Sequence, residues 1–299
     1  MMLGRKQRWF SEGKRRKPLQ DNHESRAKTA CFGYQRVPEN EKIKLVIRHF
    51  NTVAGKYDMM NTLLSFGIHH QWRRNAIRIL GLKEGEVVLD LCGGTGDLSI
   101  LAARAVGLSG RVILYDINRA MMDIGKSKVA NSSYGNNVLY VQGDAEEISL
   151  QDQLFDAAFV GFGIRNLTHM EKGFKEMYRL LKPGGKLMCL DLSKPTASFF
   201  RWLYDFYSFY IMPLLGGIIT GSRRAYTYLP ESIRVFPLPD ELTAILKKVG
   251  FSHITYRKLT NGMAVVHLAK KKSMRRDNEI ELGRTLRCKQ PPACHAATD

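Results

Sequence analysis

The stretch EVVLDLCGGTGDLSILAARAV, residues 86–106, decides the fold. It joins an apolar, β-branched run to a glycine-rich turn and then to a helical pattern, which is the order of a strand, a tight turn and a helix. Glycines in such a turn let the backbone bend sharply and approach a ligand closely, because they carry no Cβ. The stretch therefore predicts a nucleotide-binding unit in which Gly93, Thr95 and Gly96 are candidate ligand contacts.

Further short runs rich in Val, Ile and Leu follow this unit and alternate with helical patterns. The runs lie at 111–117, 138–144, 155–163 and 186–193, and the helical patterns at 97–107, 119–130 and 169–181. Strands of this composition between helices are typical of a parallel sheet covered on both faces. The pattern predicts a doubly wound α/β fold.

Two more strand candidates, 253–259 and 263–269, close the pattern. Thr260-Asn261-Gly262 lies between them, and an Asn-Gly pair favours a hairpin turn. An antiparallel closing strand is typical of class I S-adenosylmethionine-dependent methyltransferases, whereas a dinucleotide-binding domain normally ends in parallel strands. The prediction is therefore a mostly parallel seven-stranded sheet with an antiparallel closing strand.

Two acidic residues distinguish between nucleotide cofactors. Asp116 ends the second strand twenty residues after Gly96, where a carboxylate can accept hydrogen bonds from both hydroxyls of an adenosine ribose. The turn GGTGDL has its glycines at the wrong spacing for a pyrophosphate-binding G-x-G-x-x-G. Asp90 would repel a pyrophosphate but suits the ammonium group of a methionine moiety. These residues favour S-adenosylmethionine over NAD.

The end of the third strand offers a further cofactor contact. Asp144, followed by Ala145, is positioned to reach the exocyclic amine of an adenine. The alternative is that Asp144 only caps the next helix. The sequence alone leaves both interpretations open.

Charge and cysteine usage limit the classes of protein that fit. Lys and Arg number 46 against 28 Asp and Glu, a formal charge of +18. Residues 1–30 carry nine basic and three acidic side chains, and residues 270–299 carry eight and four. We predict two basic, disordered tails, at 1–30 and 271–299, around a domain at 31–270. The first tail has no apolar stretch for a secretory signal, which favours a cytoplasmic location.

The cysteines indicate neither a disulfide framework nor a metal site. There are five, widely spaced and without a CxxC pair. Cys92 and Cys189 lie in apolar, strand-like runs and are predicted to be small buried side chains. His69 and His70 have no acidic or cysteine neighbours in sequence, so no metal is expected.

Residues 32–270 closely resemble the C-methyltransferases of menaquinone and ubiquinone biosynthesis. The likeness rests on FGYQRVPENEK (32–42), FNTVAGKYDMMNTLLSFGIHHQWRR (50–74), LDLCGGTGDLS (89–99), GFGIRN (161–166), EMYRLLKPGG (176–185) and DLSKPTASFFRWLYDFYSFYIMPLLG (191–216). The resemblance implies methyl transfer from S-adenosylmethionine to a ring carbon of a reduced polyprenyl quinol. The product would be menaquinol from demethylmenaquinol, or the methylated form of 2-methoxy-6-polyprenyl-1,4-benzoquinol. The residues do not separate these substrates, and the preference for the naphthoquinol rests on likeness alone.

The resemblance also implies which residues touch the cofactor. They are Thr95, Asp116, the pair Asp144-Ala145, and Gly161 at the end of the fourth strand. Many relatives carry serine where Gly161 stands, so a side-chain contact would be lost here.

Arg165 and Asn166, just beyond the fourth strand, are the candidate catalytic residues. The resemblance implies that Arg165 assists proton removal through a water. A guanidinium whose pKa stays above about 12 is better suited to stabilising a phenolate oxygen. The alternative is a purely structural salt bridge.

Two flanking segments complete the prediction. Residues 40–80 form a helical lid, in which Tyr57 either bonds the quinol or packs against the core. Residues 196–236 form an aromatic helical insertion that either admits a prenyl tail and touches a bilayer or packs in the core.

Two alternative functions remain at this stage: RNA methylation, suggested by the charge, and a non-catalytic scaffold of a quinone-biosynthetic assembly. No specific nucleic acid partner is expected, because the charge is mainly terminal and the motifs for RNA amine or pyrimidine methylation are missing from the sequence. The oligomeric state is left open.

Overall fold

The N-terminal part of the chain folds as a short hairpin and three helices. A computed structural model describes residues 28–221 and 223–273, so the predicted basic tails lie almost entirely outside the described residues. The elements are β1 (Thr29–Phe32), β2 (Gln35–Pro38), α1 (Glu39–Val53), α2 (Tyr57–Leu64) and α3 (Ile68–Leu80). The helices of this segment were predicted, whereas the hairpin was missed because its strands are only four residues long.

The central part of the chain alternates strands and helices, as predicted. Its elements are β3 (Val87–Leu91), α4 (Asp97–Val106), β4 (Arg111–Asp116), α5 (Arg119–Ala130), β5 (Val138–Gln142), β6 (Phe155–Gly161), α6 (Met170–Leu180) and β7 (Leu181–Leu192). The fifth predicted strand began at residue 186, but β7 already begins at Leu181. Its pairing with β6 shifts register between Phe155 and Ala157, so 182–185 is an irregular part of a strand and not a separate turn.

The C-terminal part adds the predicted insertion and the closing hairpin. Its elements are α7 (Ser198–Phe206), a π-helical segment (Tyr207–Ile211), α8 (Met212–Thr220), α9 (Arg223–Val235), α10 (Pro239–Val249), β8 (Ser252–Leu259) and β9 (Ala264–Lys270). The helical insertion contains a π-helical segment between α7 and α8. Pro213 lacks an N–H and its ring blocks an ordinary α turn, so the wider turn before it accommodates the ring.

The seven strands form one sheet in the order β5-β4-β3-β6-β7-β9-β8. All neighbours are parallel except that β9 runs antiparallel to both β7 and β8. This confirms the predicted α/β sheet with its antiparallel closing strand. The strand order reverses between β3 and β6, and ligands of such sheets bind at the carboxyl ends of the strands beside this point.

The sheet is buried on both faces because its strands are apolar on both. In β6, Ala157 and Phe159 point to a core formed with α3, α4 and α5, whereas Ala158 and Val160 point to a core formed with α6 and α10. All four are fully buried. A continuous apolar strand, rather than an alternating one, is therefore required at this position.

A third, smaller core joins the N-terminal helices to the aromatic insertion. It is formed by Val53, Met60, Leu64, Met212 and Tyr226. The predicted lid and the predicted insertion therefore pack against each other. None of the helices in residues 28–221 and 223–273 combines the length and the apolar character needed to cross a bilayer.

Because β6 is buried on both faces, truncating one of its side chains should lower the free energy of unfolding. Phe159→Ala should lower the free energy of unfolding by about 3–5 kcal/mol, because the cavity left in a fully buried core cannot refill. The matched control is Phe199→Ala, where the side chain is 67% exposed and the change should stay below about 0.5 kcal/mol. Urea denaturation measures both. Equal losses in the two variants would contradict the assignment of Phe159 to the core.

Candidate active site

The glycine-rich turn between β3 and α4 lies at the carboxyl edge of the sheet and lines a cavity. A Cβ on Gly93 would lie 2.6 Å from Cγ of Leu114, so the turn can only approach the next strand closely without a side chain there. Gly96 has a φ of 79°, which favours glycine. Of these two, Gly93 lines the cavity and Gly96 does not. Gly96 therefore shapes the turn, and Gly93 lies in the cavity wall.

Asp116 is held in place by the same turn. One carboxylate oxygen accepts the Gly94 N–H at 2.8 Å, and the other accepts the Asn118 N–H at 2.8 Å. Burial raises the pKa of Asp116, and these backbone hydrogen bonds only partly offset it. The carboxylate is therefore fixed in the cavity wall, where its remaining lone pairs can accept hydrogen bonds from hydroxyl groups.

Asp90 is a second buried carboxylate in the wall of this cavity. It accepts a hydrogen bond from the Ser99 hydroxyl at 2.6 Å. Burial raises its pKa to about 7; Asp116 and Asp97 also raise the pKa, whereas the Ser99 hydrogen bond and Arg73 lower it. A carboxyl group of this kind attracts a cation from the cavity more strongly than an exposed one does, because the charge is poorly solvated.

Asp144 and Ala145 line the far end of the cavity. Asp144 accepts the Glu146 N–H at 2.8 Å within a turn. No helix lies between β5 and β6, so the alternative that Asp144 only caps the next helix is wrong. Gly161 also lines the cavity, and a Cβ there would lie 2.3 Å from the Leu98 side chain. Leu98 thus fills the space that a larger residue at position 161 would need.

A charged cluster that the sequence analysis missed connects α2 to this turn. Lys128 donates to Asp58 at 2.7 Å and to Asp97 at 2.6 Å. The Thr95 hydroxyl donates to Asp58 at 2.7 Å and accepts from Lys128 at 3.2 Å. The cluster holds α2 against the turn, and side chains of α1 and α2 line the cavity. Nothing in the local sequence pairs Asp58 with Lys128, because only the fold brings them together.

A second cavity of about 510 Å³ adjoins the first. Its wall is predominantly aromatic and aliphatic and is built from α2, α3 and the insertion. Tyr57, Arg73 and Phe162 line both cavities, so they mark the boundary between them. Of the predicted catalytic residues, Tyr57 therefore lies between the cavities, Asn166 lines the first and Arg165 lines the second.

Arg165 forms the salt bridge that the sequence analysis considered as its alternative role. Its guanidinium lies 2.6 Å from Asp191 and donates to the Phe162 carbonyl at 2.7 Å. Burial lowers the pKa of Arg165, but Asp191, Tyr57 and Tyr228 together raise it by more, so the net pKa lies above its usual value. Arg165 therefore remains protonated and cannot act as a free base. Asn166 accepts a hydrogen bond from Tyr228 at 2.8 Å, which fixes its side chain.

The histidines and cysteines near the two cavities are not grouped as metal ligands among the described residues. His69 is buried, contacts Ser65 at 2.7 Å, and has a pKa lowered to about 4 by burial and by Arg73. Burial raises the pKa of the Cys92 and Cys189 thiols well above the usual value. Within the part of the chain that the structure describes, no cluster of three or more metal-ligating side chains is present.

Comparison with known proteins decides the family. Residues 35–271 match the model of the ubiE/COQ5 methyltransferase family. The chain belongs to this family. It is 44% identical to the ubiquinone/menaquinone biosynthesis C-methyltransferase UbiE of Pseudomonas paraeruginosa over 239 residues, which are 80% of this chain and 93% of the relative. It is also 44% identical to the UbiE of Haemophilus ducreyi over 252 residues, 84% of this chain and 97% of the relative. The resemblance found in the sequence is thereby confirmed.

Solved structures support the fold. A SAM-dependent methyltransferase from Thermotoga maritima superimposes with a TM-score of 0.54 at 20% identity, covering 76% of this chain and 100% of the other. Family and fold together imply S-adenosylmethionine as the methyl donor. The residues present fit it: Asp116 offers two fixed acceptors for ribose hydroxyls, and Asp90 offers a carboxylate for the ammonium group.

Removing the Asp116 carboxylate tests the first of these contacts. Asp116→Ala should weaken S-adenosylmethionine binding at least about tenfold, because two hydroxyls lose a charged acceptor. The control is Asp123→Ala, an exposed carboxylate on α5, which should leave the affinity unchanged. Calorimetry measures both. Equal affinities in Asp116→Ala and the unmodified protein would rule out this contact.

The raised pKa of Asp90 predicts a pH dependence. The ammonium group binds the ionised carboxylate, so affinity should rise as pH increases from about 5.5 to 7 and then level off. Below pH 7 the affinity for S-adenosylmethionine should fall by up to about tenfold for each pH unit. His49 and His69 do not interfere, because desolvation and neighbouring arginines lower the pKa of each to about 4. Titration calorimetry on Asp90→Asn should show a flat profile over this range, and a persistent slope would assign the effect to another group.

Proposed function

We propose that the protein is a C-methyltransferase that converts demethylmenaquinol to menaquinol and that also accepts 2-methoxy-6-polyprenyl-1,4-benzoquinol. The observation that carries this proposal is the second cavity, which is large and apolar. It meets the first cavity, where the cofactor would bind, at Tyr57, Arg73 and Phe162. The names of the similar proteins, ubiquinone/menaquinone biosynthesis C-methyltransferases, agree with it. The ring would lie at this boundary and the polyprenyl tail in the apolar cavity.

The second cavity has the chemistry of a prenyl site. Aromatic and aliphatic side chains dominate its wall, among them Trp72, Phe200, Tyr204, Phe206 and Tyr207. An apolar tail gains roughly 25 cal/mol for each Å² of surface that it buries there. A nucleic acid would gain little from this wall, because it is mostly apolar and the charge of Arg165 is already compensated by Asp191. The lining therefore favours a lipid quinol over RNA.

Ring methylation requires an electron-rich ring carbon, which a deprotonated hydroquinone provides. When bound, S-adenosylmethionine supplies an electrophilic methyl group. The Arg165 guanidinium, kept protonated by Asp191, stabilises the phenolate oxygen and so favours loss of the hydroxyl proton to water. Tyr57 contributes a hydroxyl at the boundary of the two cavities, and Asn166 is oriented by Tyr228. The N-terminal helices exclude bulk water from the boundary.

We also propose that the protein takes its substrate from an anionic membrane surface, in the cytoplasm at the inner face of the membrane. The helices around the second cavity expose a row of aromatic side chains, here called the aromatic patch: Phe199, Trp202, Phe206 and Tyr210. Consecutive rings in this row lie 5.4–6.4 Å apart, and the exposed fractions range from 45% to 67%. Phe206 belongs both to the patch and to the cavity wall.

Two properties support a lipid surface as the occupant of the aromatic patch. The patch is continuous with a cavity suited to a prenyl chain, so a lipid quinol can pass from a bilayer without crossing water. The formal charge of +18 attracts acidic head groups. Exposed aromatic side chains of this kind insert readily at the level of the head groups.

Direct assay tests the function. The protein is incubated with methyl-labelled S-adenosylmethionine and, separately, with reduced demethylmenaquinone, the reduced benzoquinone and RNA. Label should appear in the quinols and not in RNA. Labelled RNA would favour the alternative enzyme, and cofactor binding without any transfer would favour a scaffold.

Arg165 is predicted to act on turnover and not on cofactor binding. Arg165→Ala should lower turnover by about 10²–10³-fold, the loss typical of a missing oxyanion donor, and should keep S-adenosylmethionine affinity within about twofold. Because the substitution leaves Asp191 unpaired, Arg165→Lys and a thermal unfolding scan control for folding. Arg119→Ala, at an exposed ion pair on α5, should have full activity. Unchanged turnover in Arg165→Ala would remove Arg165 from the mechanism.

The aromatic patch is tested with vesicles. Replacing Trp202 and Phe206 by serine should reduce sedimentation with phosphatidylglycerol vesicles at least about fivefold, since two interfacial anchors are lost. Leu139→Ser, a 52% exposed side chain on the edge strand β5, is the control and should bind like the unmodified protein. Binding that is unaffected by the double substitution would contradict the role of the patch.

A further inference from the structure

Arg73, in α3, is a buried guanidinium whose hydrogen-bonding capacity is only partly used by the residues that the structure describes. Its side chain is 8% exposed, and its nearest acidic partner, Asp97, lies 3.4 Å away. Asp97 is already bound by Lys128 at 2.6 Å. Nη1 of Arg73 is buried and has no hydrogen-bond partner among residues 28–221 and 223–273. A buried donor in this state is costly unless a ligand completes it.

The surroundings of Arg73 place its side chain in the wall between the two cavities. Arg73 lines both cavities, and its guanidinium lies 5.2 Å from the centre of the Phe162 ring, which also lines both. Its charge acts on Asp90, which lies in the wall of the first cavity. A positive and a negative group thus interact in the wall of the cavity that Asp116 also lines.

We propose that Arg73 binds the carboxylate of the methionine moiety of S-adenosylmethionine, with Asp90 facing its ammonium group. This inference rests on the proposed function in that it requires S-adenosylmethionine to be the ligand. An α-amino acid group carries one positive and one negative end, and the Asp90–Arg73 pair offers the opposite charge to each. A guanidinium suits a carboxylate because it can donate two parallel hydrogen bonds.

The two buried arginines of the site then have separate tasks. Arg165 lines only the second cavity, where its charge is compensated by Asp191 at 2.6 Å. Arg73 reaches the first cavity and lacks a comparably close acidic partner. The cofactor carboxylate would supply the missing charge. Arg73 is thus a binding residue for the cofactor and Arg165 acts on the quinol.

Decarboxylated S-adenosylmethionine isolates this contact, because it keeps the ammonium group and lacks the carboxylate. Calorimetry on the full chain measures binding of both compounds to the unmodified protein, to Arg73→Gln and to Arg74→Gln. Arg74 is an exposed neighbour on the same helix and serves as the matched control. Arg73→Gln should weaken S-adenosylmethionine binding about tenfold to a hundredfold and change binding of the decarboxylated compound less than about twofold. Arg74→Gln should change neither.

Equal weakening of both ligands in Arg73→Gln would show a structural role and overturn the proposal. Unchanged cofactor affinity with a raised KM for the quinol would assign Arg73 to the other substrate and also overturn it. If Arg73→Gln does not fold in a thermal scan, Arg73→Lys replaces it; a selective loss for S-adenosylmethionine supports the contact, and no selective loss refutes it. Failure of the unmodified protein to bind either compound would instead refute the proposed cofactor.

Discussion

The ion pairs of Lys128 hold the N-terminal helices against the glycine-rich turn, and both cavities depend on this contact. Lys128 reaches Asp58 on α2 and Asp97 at the start of α4, while the Thr95 hydroxyl also bonds Asp58. Without α2 and α3 over the carboxyl edge of the sheet, the first cavity would be an open groove and the second would lose one wall. Since these ion pairs are partly buried, they are screened less by salt than exposed pairs.

The sheet and its cofactor edge could be predicted from the sequence because their signals are local. The runs around Asp90 and Asp116 have the composition of buried parallel strands, and each strand end carries its own functional residue. The packing of the N-terminal helices and of the residues around Arg165 over that edge could not be predicted in the same way. The Asp58–Lys128 contact and the Arg165–Asp191 pair join residues far apart in the chain, and no spacing rule links them. The resemblance to a known family indicated which residues matter but not what each one contacts.

The site contains both acidic and basic buried side chains, and these have different proposed roles. Asp90 and Asp116 face the cofactor cavity, and burial raises the pKa of both. Arg165 stays charged because Asp191 compensates it in a dry environment. Such preorganised charges stabilise developing charge without reorganisation during the reaction. Under the proposed function, the neighbouring apolar cavity binds the quinol and positions its ring near the methyl donor.

The central claim is that the methyl donor and the quinol ring meet at the boundary formed by Tyr57, Arg73 and Phe162. A crystal structure with S-adenosylhomocysteine and a short-chain naphthoquinol tests it most directly. The account predicts the sulfur atom at this boundary, the ring within about 3–4 Å of the position of the transferred methyl group, and the prenyl tail in the second cavity. A ring bound elsewhere, or a second cavity filled by the protein's own side chains, would contradict it.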